Sequence, residues 1–317
     1  MISRRPQSRG RYVMSLRIKR KEEADSAVRR LQGEAIGQAL ECLKRRGRLE
    51  AIHEARKNIK RARALLRLAR QEMDRGGYRK ETRTLRDASK AMSPARDAHV
   101  RLQALEKLAG HSRKKLPCAR LKKRLRADCQ QQADRFWSDA AWRTARRLLQ
   151  LARKRVDKAD LEPVGWRAIA AGLKRGYRRG GKLYLQARSG AAPEALHEWR
   201  KRAKDLWHQL RCLRGAWGRN TRAIEDRLKV LIEHLGNHHD LVTVRQSVAV
   251  LSAPAAGRAA SRLIPPAEIR AVSRAAAAWQ RELRDTALAA GKRIYEEKPS
   301  VFCKRLERDW NAWRSGR

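Results

Sequence analysis

Three features that would point to familiar classes of protein are missing from this 317-residue sequence. Its five cysteines are scattered and none belongs to a CxxC pair, which argues against a disulfide framework and against a zinc site. No run approaches the roughly 18 uninterrupted apolar residues of a membrane span. Alternating runs rich in Val, Ile and Thr are also missing, so β-strands are not expected. These absences leave a cytoplasmic helical protein as the expectation.

Acidic residues are scarce relative to basic ones. The chain has 78 Lys and Arg against 33 Asp and Glu, a formal net charge of +45. Self-repulsion on this scale weakens a compact state unless an anionic partner offsets it. The composition therefore predicts such a partner: nucleic acid, an acidic membrane surface or a phosphate polymer. Residues 1–14 are basic and lack the apolar segment of a secretory signal, so we interpret them as a disordered arm.

Helix-forming residues fill most of the sequence. Ala, Leu, Arg, Lys, Glu and Gln dominate long stretches, and the prolines fall between periodic segments, where they suit first helical turns. The periodicity predicts an all-α fold. The expected helices lie near residues 22–46, 50–74, 78–92, 94–109, 117–155, 163–188, 193–215, 220–235, 238–252, 266–291 and 299–315.

An internal repeat organises these helices. Residues 52–60 match residues 196–204 at an offset of 144, with His, Arg, Lys and Lys in the same order. A second block follows about 43 residues later in each half, as Arg96-Asp97 and then as His239-Asp240. Two blocks in matching order predict a tandem duplication. We place the first helical-bundle repeat at 15–155 and the second at 160–315.

Each copy of the first block places a basic stripe on one helix face. At about 100° per residue, the cationic side chains share a sector of roughly 120°, and apolar side chains lie opposite. Solvated faces usually mix charge signs because like charges one turn apart repel. A single-sign stripe in both halves therefore predicts a track for a ladder of phosphates. The stripes comprise His53, Arg56, Lys57, Lys60, Arg63 and Arg67, and then His197, Arg200, Lys201, Lys204, His208 and Arg211.

Other side chains on these two helices modify the stripes. Glu54 and Glu198 lie off the centre of the basic sector, so they are not expected to neutralise it along its length. Trp207 interrupts the second stripe. If His53 and His197 become protonated they add charge, which predicts stronger anion binding at pH 6 than at pH 8. The alternative is that both are neutral donors at a helix junction.

Three weaker basic faces are candidate extensions of the track. They comprise Arg79, Arg83, Arg86 and Lys90; Lys174, Arg175, Arg178, Arg179 and Lys182; and Arg222 with Lys229. The segment 117–155 is also rich in Lys and Arg. Its charges surround the helix axis, so we interpret it mainly as solubilising surface.

The doubled His-x-x-Arg-Lys-x-x-Lys helix, followed by an Arg-Asp or His-Asp pair, resembles the CHAD family, the conserved histidine α-helical domain. The resemblance covers the chain from about residue 15 to the C-terminus. It implies two four-helix bundles of long helices, related by a pseudo-two-fold axis around a basic central pore or cleft. It also implies binding of inorganic polyphosphate and association with polyphosphate granules, where other granule-associated proteins are candidate partners.

The resemblance also implies which residues bind. They are the stripe residues other than His208, with Arg96 and His239 added from the second block, while Asp97 and Asp240 orient neighbouring basic groups. Family members are often fused to a triphosphate tunnel domain that opens with a Glu-x-Glu-x-Lys strand, and nothing in this sequence resembles it. The implied protein is a stand-alone binding module with no catalytic activity and no cofactor.

Two other functions stay open. His234, His238, His239 and Asp240 invite comparison with metal-dependent phosphohydrolases, but the matching positions of the first half include Arg96, which does not bind metal. Non-specific nucleic-acid binding follows from the net charge. No nucleic-acid-reading motif is recognisable, however, and base stacking needs aromatic rings among the cations, which the stripes offer at one position only.

Overall fold

The computed structural model describes residues 17–70, 73–138, 140–158, 166–190, 193–252 and 264–316. Within these ranges the chain forms eleven α-helices and one 3-10 turn, with no strand, so the predicted all-α fold is confirmed. The predicted arm over residues 1–14 lies outside the described residues.

The helices follow one another with short connections. In the first half they are α1 (Ala24–Lys44), α2 (Leu49–Leu68), α3 (Arg75–Ala91), α4 (Ser93–His111), α5 (Ala119–Ser138) and α6 (Ala140–Lys158). In the second half they are α7 (Trp166–Arg188), α8 (Pro193–Cys212), α9 (Arg219–Ser252), α10 (Pro266–Ile294) and α11 (Pro299–Ser315). The 3-10 turn covers Arg214–Ala216, between α8 and α9.

Local sequence accounts for several helix ends. Pro94, Pro266 and Pro299 occupy the first turns of α4, α10 and α11, where the missing proline N–H breaks no intrahelical hydrogen bond. Asp74 caps α3 by accepting a hydrogen bond of 2.7 Å from the backbone N of Gly77.

The helix predicted over 117–155 is wrong as a single element. The structure has α5 and α6 instead, on either side of residue 139, which lies outside the described residues. A straight helix over that range would be about 58 Å long. Because α5 packs against α4 whereas α6 packs against α1 and α3, two shorter helices place both apolar faces in contact with other helices.

The opposite error occurs in the second half. The helices predicted over 220–235 and 238–252 are one continuous helix, α9. A glycine inside a helix costs only about 1 kcal/mol, so Gly236 does not end it. The equivalent region of the first half contains Pro94, and there the chain breaks into α3 and α4.

Three apolar cores hold the helices together. The first lies among α1, α2, α3 and α6, and the second among α7, α8, α11 and the first half of α9. The third lies among α4, α5, the second half of α9 and the start of α10. The α1–α2 and α7–α8 pairs occupy corresponding places in the two halves, as do α4–α5 and α9–α10. The pseudo-two-fold relation and the domain boundaries stay predictions.

The two motif helices, α2 and α8, pack against each other. The buried side chain of Gln209 on α8 donates a hydrogen bond of 3.0 Å to the carbonyl oxygen of Ala64 on α2. Leu65 and Leu68 of α2 join the core of the second half. This packing brings the basic faces of the two motif helices to one place. None of the described helices is long and apolar enough to cross a membrane.

The close approach of α10 to α7 and α8 makes a testable prediction about stability. A Cβ atom added at Gly291 would lie 2.6 Å from Tyr184 Cδ2 and 2.7 Å from the fully buried ring of Trp199. We therefore expect Gly291→Ala to lower the free energy of unfolding by about 1–3 kcal/mol through overpacking. Gly110, in α4, is the matched control because no atom lies within 4 Å of its added Cβ. Gly110→Ala should leave stability unchanged or raise it by up to about 1 kcal/mol. Equal urea midpoints for the two variants would contradict this packing.

Candidate functional site

A cavity of about 810 Å³ opens where α2 and α8 meet α4, α5 and α9. Its cationic lining comes from Arg56, Lys60, Arg63, Arg67, Arg96, Arg101, Arg124, Arg200, Lys201, Arg202 and Lys204. The acidic lining consists of Asp97, Asp128, Asp205 and Asp240. Eleven cations against four carboxylates give the cavity a formal excess of seven positive charges. The remaining lining is His197, His239, Val100, Leu125, Thr243, Gln246, Ser247 and Val250.

The four carboxylates pair with only part of this charge. Asp205 is shared by Arg67, at 3.1 Å, and Arg202, at 2.9 Å. Asp128 accepts a hydrogen bond of 2.7 Å from Arg101. A further pair is loose, with Asp240 Oδ1 at 3.9 Å from Arg200 Nη1. Most of the cavity's positive charge is therefore left for a ligand.

Two half-buried lysines, Lys60 and Lys204, occupy matching places on α2 and α8. Burial lowers the pKa of Lys60 well below its usual 10.5, and the positive charge of Lys204 lowers it further. Burial and then the charge of Arg200 lower the pKa of Lys204 to about 8. An ammonium group loses its proton more easily where water and counter-charges are scarce. The site therefore concentrates positive charge where few acidic side chains of the protein balance it.

Several buried donors in the cavity make no hydrogen bond within the described part of the chain. They include Arg56 Nε, Arg63 Nε, Arg96 Nη1 and Arg200 Nε. A buried donor without a partner costs about 1–3 kcal/mol. Unpaired guanidinium donors are well suited to the oxygens of a phosphate group, since each guanidinium offers a planar fork of N–H groups. An oxyanion in the cavity would supply the missing acceptors.

The surroundings of the histidines favour their neutral form. Burial, followed by the charge of Arg96, lowers the pKa of His53 to about 4. Burial and then the charge of Lys201 also lower the pKa of His197. The rings of His197 and His239 lie 4.2 Å apart, and burial lowers the pKa of His239 to about 3. These pKa shifts favour the alternative in which His53 and His197 are neutral in the ligand-free protein, because a buried ring among cations holds its proton weakly. Stronger binding at pH 6 than at pH 8 stays a prediction.

Ten of the fourteen predicted binding residues line the cavity and four do not. His53 and Lys57 lie near Glu54, whose carboxylate is 3.2 Å from Lys57 Nζ. His208 is almost fully buried beneath the surface, and Arg211 is exposed and lies over the ring of Trp207 at 5.1 Å. A helix projection groups these side chains with the stripe, but only the part of the stripe that faces the other helices forms the lining.

The two glutamates beside the stripes have a larger effect than expected. Glu54 pairs with Lys57, and Glu198 pairs with Lys201 at 2.6 Å. Each pair spans i and i+3, a spacing that places side chains on the same helix face. One lysine of each stripe is thus partly neutralised, and the central Lys60 and Lys204 are not.

The three weaker basic faces do not line the cavity. On α3, Arg79, Arg83, Arg86 and Lys90 are exposed, and on α9 so are Arg222 and Lys229. On α7, Lys174, Arg178, Arg179 and Lys182 are exposed and Arg175 is half-buried. Two of these residues lie close to the cavity wall, since the charge of Arg86 lowers the pKa of Arg63 and the charge of Arg179 opposes the burial that raises the pKa of Asp205.

Sequence reasoning missed part of the lining. Arg202 and Asp205 belong to the second motif helix but lie off the basic sector. Asp205 accepts a hydrogen bond from Arg67 of α2, and this tertiary contact is not evident from the sequence. Arg101 follows Arg96 on α4. Arg124 belongs to the segment interpreted as solubilising surface, and this interpretation is wrong at that position because α5 forms one wall of the cavity. A search for further arginines near Arg96 in the sequence would have found Arg101.

Comparisons with known proteins identify the family. The model of the CHAD domain family matches residues 17–249, so the chain belongs to the CHAD family. No curated protein matches the chain. The CHAD domain from the plant Ricinus communis is similar in structure, with a TM-score of 0.63 and 16% identity over 92% of this chain and 97% of that one. PptA from Streptomyces chartreusis is similar with a TM-score of 0.60 and 16% identity, over 87% of this chain and 100% of that one. At this identity the structural likeness concerns the fold.

The crowding of cations predicts that the ligand-free site is destabilising. The pKa of Lys204 is about 8 in the folded protein and 10.5 for an exposed lysine, so the unfolded chain binds this proton more tightly. Lys204 therefore lowers the free energy of unfolding as the pH falls below 10.5, and the loss is complete below pH 8. We expect Lys204→Met to raise the free energy of unfolding by about 1–3 kcal/mol at pH 7 and low salt. The exposed Lys229 is the control, and Lys229→Met should change stability by less than about 0.5 kcal/mol. A lower melting temperature for Lys204→Met than for the control would contradict this account.

Proposed function

We propose that this protein binds inorganic polyphosphate in the cavity and performs no chemistry on it. The observation that carries the proposal is the set of buried, unpaired guanidinium donors around Lys60 and Lys204. Phosphate oxygens accept hydrogen bonds from such donors and carry the negative charge that the cavity lacks. Membership of the CHAD family supports the same ligand.

A polymer suits this cavity better than a single phosphate ion. Seven excess positive charges on five helices exceed what one or two phosphate groups neutralise. A chain of phosphates in contact with the α2 and α8 faces would satisfy donors from both helices. Each neutralised phosphate would also release condensed counterions, so the affinity should fall steeply with salt, as it does for nucleic acids.

Nucleic acid is the rival ligand. Proteins that bind single strands without sequence preference usually stack bases on aromatic rings. No Phe, Tyr or Trp is among the described residues that line the cavity. Trp207, the aromatic residue expected among the cations, packs against the core of the second half and against Arg211. These contacts favour a ligand without bases.

Metal-dependent hydrolysis of the phosphate chain is the second alternative. His239 and Asp240 line the cavity, whereas His238 does not, and its carbonyl oxygen accepts a hydrogen bond of 3.3 Å from Gln280. Among the described residues, no group of three or more His, Cys, Asp and Glu side chains converges as metal ligands would. Binding is therefore the function that we propose, and association with polyphosphate granules would follow from it. Interactions with other granule-associated proteins would follow from that location.

The proposal is tested by removing the two central charges. We expect Lys60→Gln with Lys204→Gln to weaken binding of long-chain polyphosphate about a hundredfold, since two charge-assisted hydrogen bonds of about 1.5 kcal/mol each are lost. The control pair, Arg143→Gln with Arg147→Gln, removes two exposed charges of α6 and should have a much smaller effect. Titration at fixed salt measures both, with a charge-matched single-stranded DNA as competitor. Equal losses in the two variants, or displacement of polyphosphate by the DNA, would overturn the proposal.

The lysines also make the proposed binding dependent on pH. An anion next to Lys204 stabilises its charged form and raises its pKa above the ligand-free value of about 8. Binding at pH 8 should therefore take up protons, and the affinity should decrease as the pH rises from 7 to 9. Between pH 6 and 7 it should change little, because burial lowers the pKa of the cavity-lining His239 to about 3 and also lowers that of His197. Calorimetry in two buffers of different ionisation enthalpy measures the uptake, which should be smaller in Lys204→Gln. Proton release at pH 8 would contradict this mechanism.

A further inference from the structure

A second basic pocket lies outside the cavity, between the end of α2 and the start of α3. Its volume is about 300 Å³, and its lining residues are Arg70, Met73, Arg75, Tyr78 and Arg79. No carboxylate is among the described residues that line it. The neighbouring Asp74 is occupied as the cap of α3, where it accepts the hydrogen bond from Gly77. We call these five residues the outer arginine pocket.

Helix α7 brings another arginine, Arg175, close to this pocket. A Cβ atom added at Gly172 would lie 2.5 Å from the carbonyl oxygen of Leu68, so α7 crosses the end of α2 at close range. Arg175 lies about one turn farther along α7. Burial and then the charge of Arg70 lower its pKa, and its Nη2 is buried without a hydrogen-bond partner. Arg70 and Arg175 thus lie close enough for the charge of one to act on the other, and neither forms an ion pair with a carboxylate among the described residues.

Tyr78 limits the freedom of one of these arginines. The Arg70 guanidinium lies 5.2 Å from the centre of the Tyr78 ring, within the range of a cation–π contact. This contact holds the guanidinium at the pocket and leaves its N–H donors available. The first turn of α3 adds the partial positive charge of a helix N-terminus. The pocket therefore has the electrostatics of an anion site and a partly ordered donor.

The outer arginine pocket begins just beyond the end of α2, whose last turns line the cavity. Arg63 and Arg67 line the cavity, and Arg70 lies three residues after Arg67, past the last helical residue Leu68. Cations thus follow one another at intervals of four and three residues from Arg63 to Arg70. A flexible polyanion that leaves the cavity past Arg67 meets Arg70 next.

We propose that the outer arginine pocket is a second phosphate subsite, which binds the part of a polyphosphate chain that extends beyond the cavity. The inference rests on the proposed function of the cavity. Arg70 and Arg175 supply forked donors to phosphate oxygens, and Tyr78 positions the first of them. Short chains occupy the cavity alone, whereas long chains occupy both places. The pocket thus sets a preference for chain length and a direction in which the polymer leaves.

Two probes of different length and two matched variants test this subsite. The probes are tripolyphosphate and long-chain polyphosphate, and the variant is Arg70→Gln with Arg175→Gln. The control is Arg270→Gln with Arg274→Gln, which removes two exposed charges of α10 near the third core. For long chains, the outer-pocket variant should lose about tenfold or more in affinity at low salt. The slope of log affinity against log salt should decrease by about two, one for each lost phosphate contact. Tripolyphosphate should bind all three proteins equally.

The outcomes separate this inference from the proposed function. Loss of long-chain affinity no greater than in the control would overturn the subsite, and so would an equal loss for tripolyphosphate. If Lys60→Gln with Lys204→Gln weakens both probes while the outer-pocket variant weakens neither, the cavity proposal stands and the subsite fails. If the unmodified protein binds neither probe, both proposals fail. Unchanged melting temperatures of the outer-pocket variant and its control would exclude unfolding as the cause.

Discussion

The cavity depends on holding like charges together where water can screen them only partly. Burial lowers the pKa of both Lys60 and Lys204; the charge of Lys204 lowers the pKa of Lys60 further, and Arg200 and Arg96 act on both lysines. The force that opposes their repulsion comes from behind the charged faces. Ile52, Ile59 and Leu66 of α2 are buried in one core, while Trp199, Leu206 and Leu210 of α8 are buried in another. Apolar burial contributes about 25 cal/mol per Å², so two such cores can sustain a locally unfavourable charge arrangement. This is the usual pattern of a binding site, in which local strain persists because the surrounding structure determines it.

The same arrangement explains why positive charge is distributed unevenly over the molecule. Outside the cavity, many cations have ordinary i,i+3 or i,i+4 partners, such as Lys44 with Glu41 and Arg153 with Asp157. Within the cavity, four carboxylates serve eleven cations, and one of them, Asp205, serves two. The acidic residues therefore position selected guanidinium groups without cancelling the field. A net charge of +45 attracts any polyanion over long range. Discrimination between polyanions has to come from the enclosed geometry at the α2–α8 contact.

Much of this fold could be predicted from periodicity and composition, because helix-forming residues, first-turn prolines and single-sign faces are local signals. The central cations could be predicted for the same reason, since Arg56, Lys60, Arg200 and Lys204 repeat at a fixed offset. Arg124 could not, because its contribution depends on how α5 packs against α4, which is a tertiary contact. For His53 and His197 the sequence left two alternatives open, charged or neutral. Their pKa values depend on burial and on neighbouring cations from other helices, and one helix face shows neither. The break between α5 and α6 has a similar origin, because the cores that each helix joins belong to other parts of the chain.

The unequal construction of the cavity walls has a mechanical consequence. One wall includes α9, a single helix of 34 residues that extends about 51 Å from the second core to the third and carries His239 and Asp240 near its middle. The corresponding wall in the first half has a joint at Met92–Pro94, just before Arg96. A continuous helix resists bending, whereas a junction at proline interrupts the hydrogen-bond ladder. The cavity thus has one stiff side and one compliant side, and adjustment to ligands of different thickness falls mainly to the wall that carries Arg96.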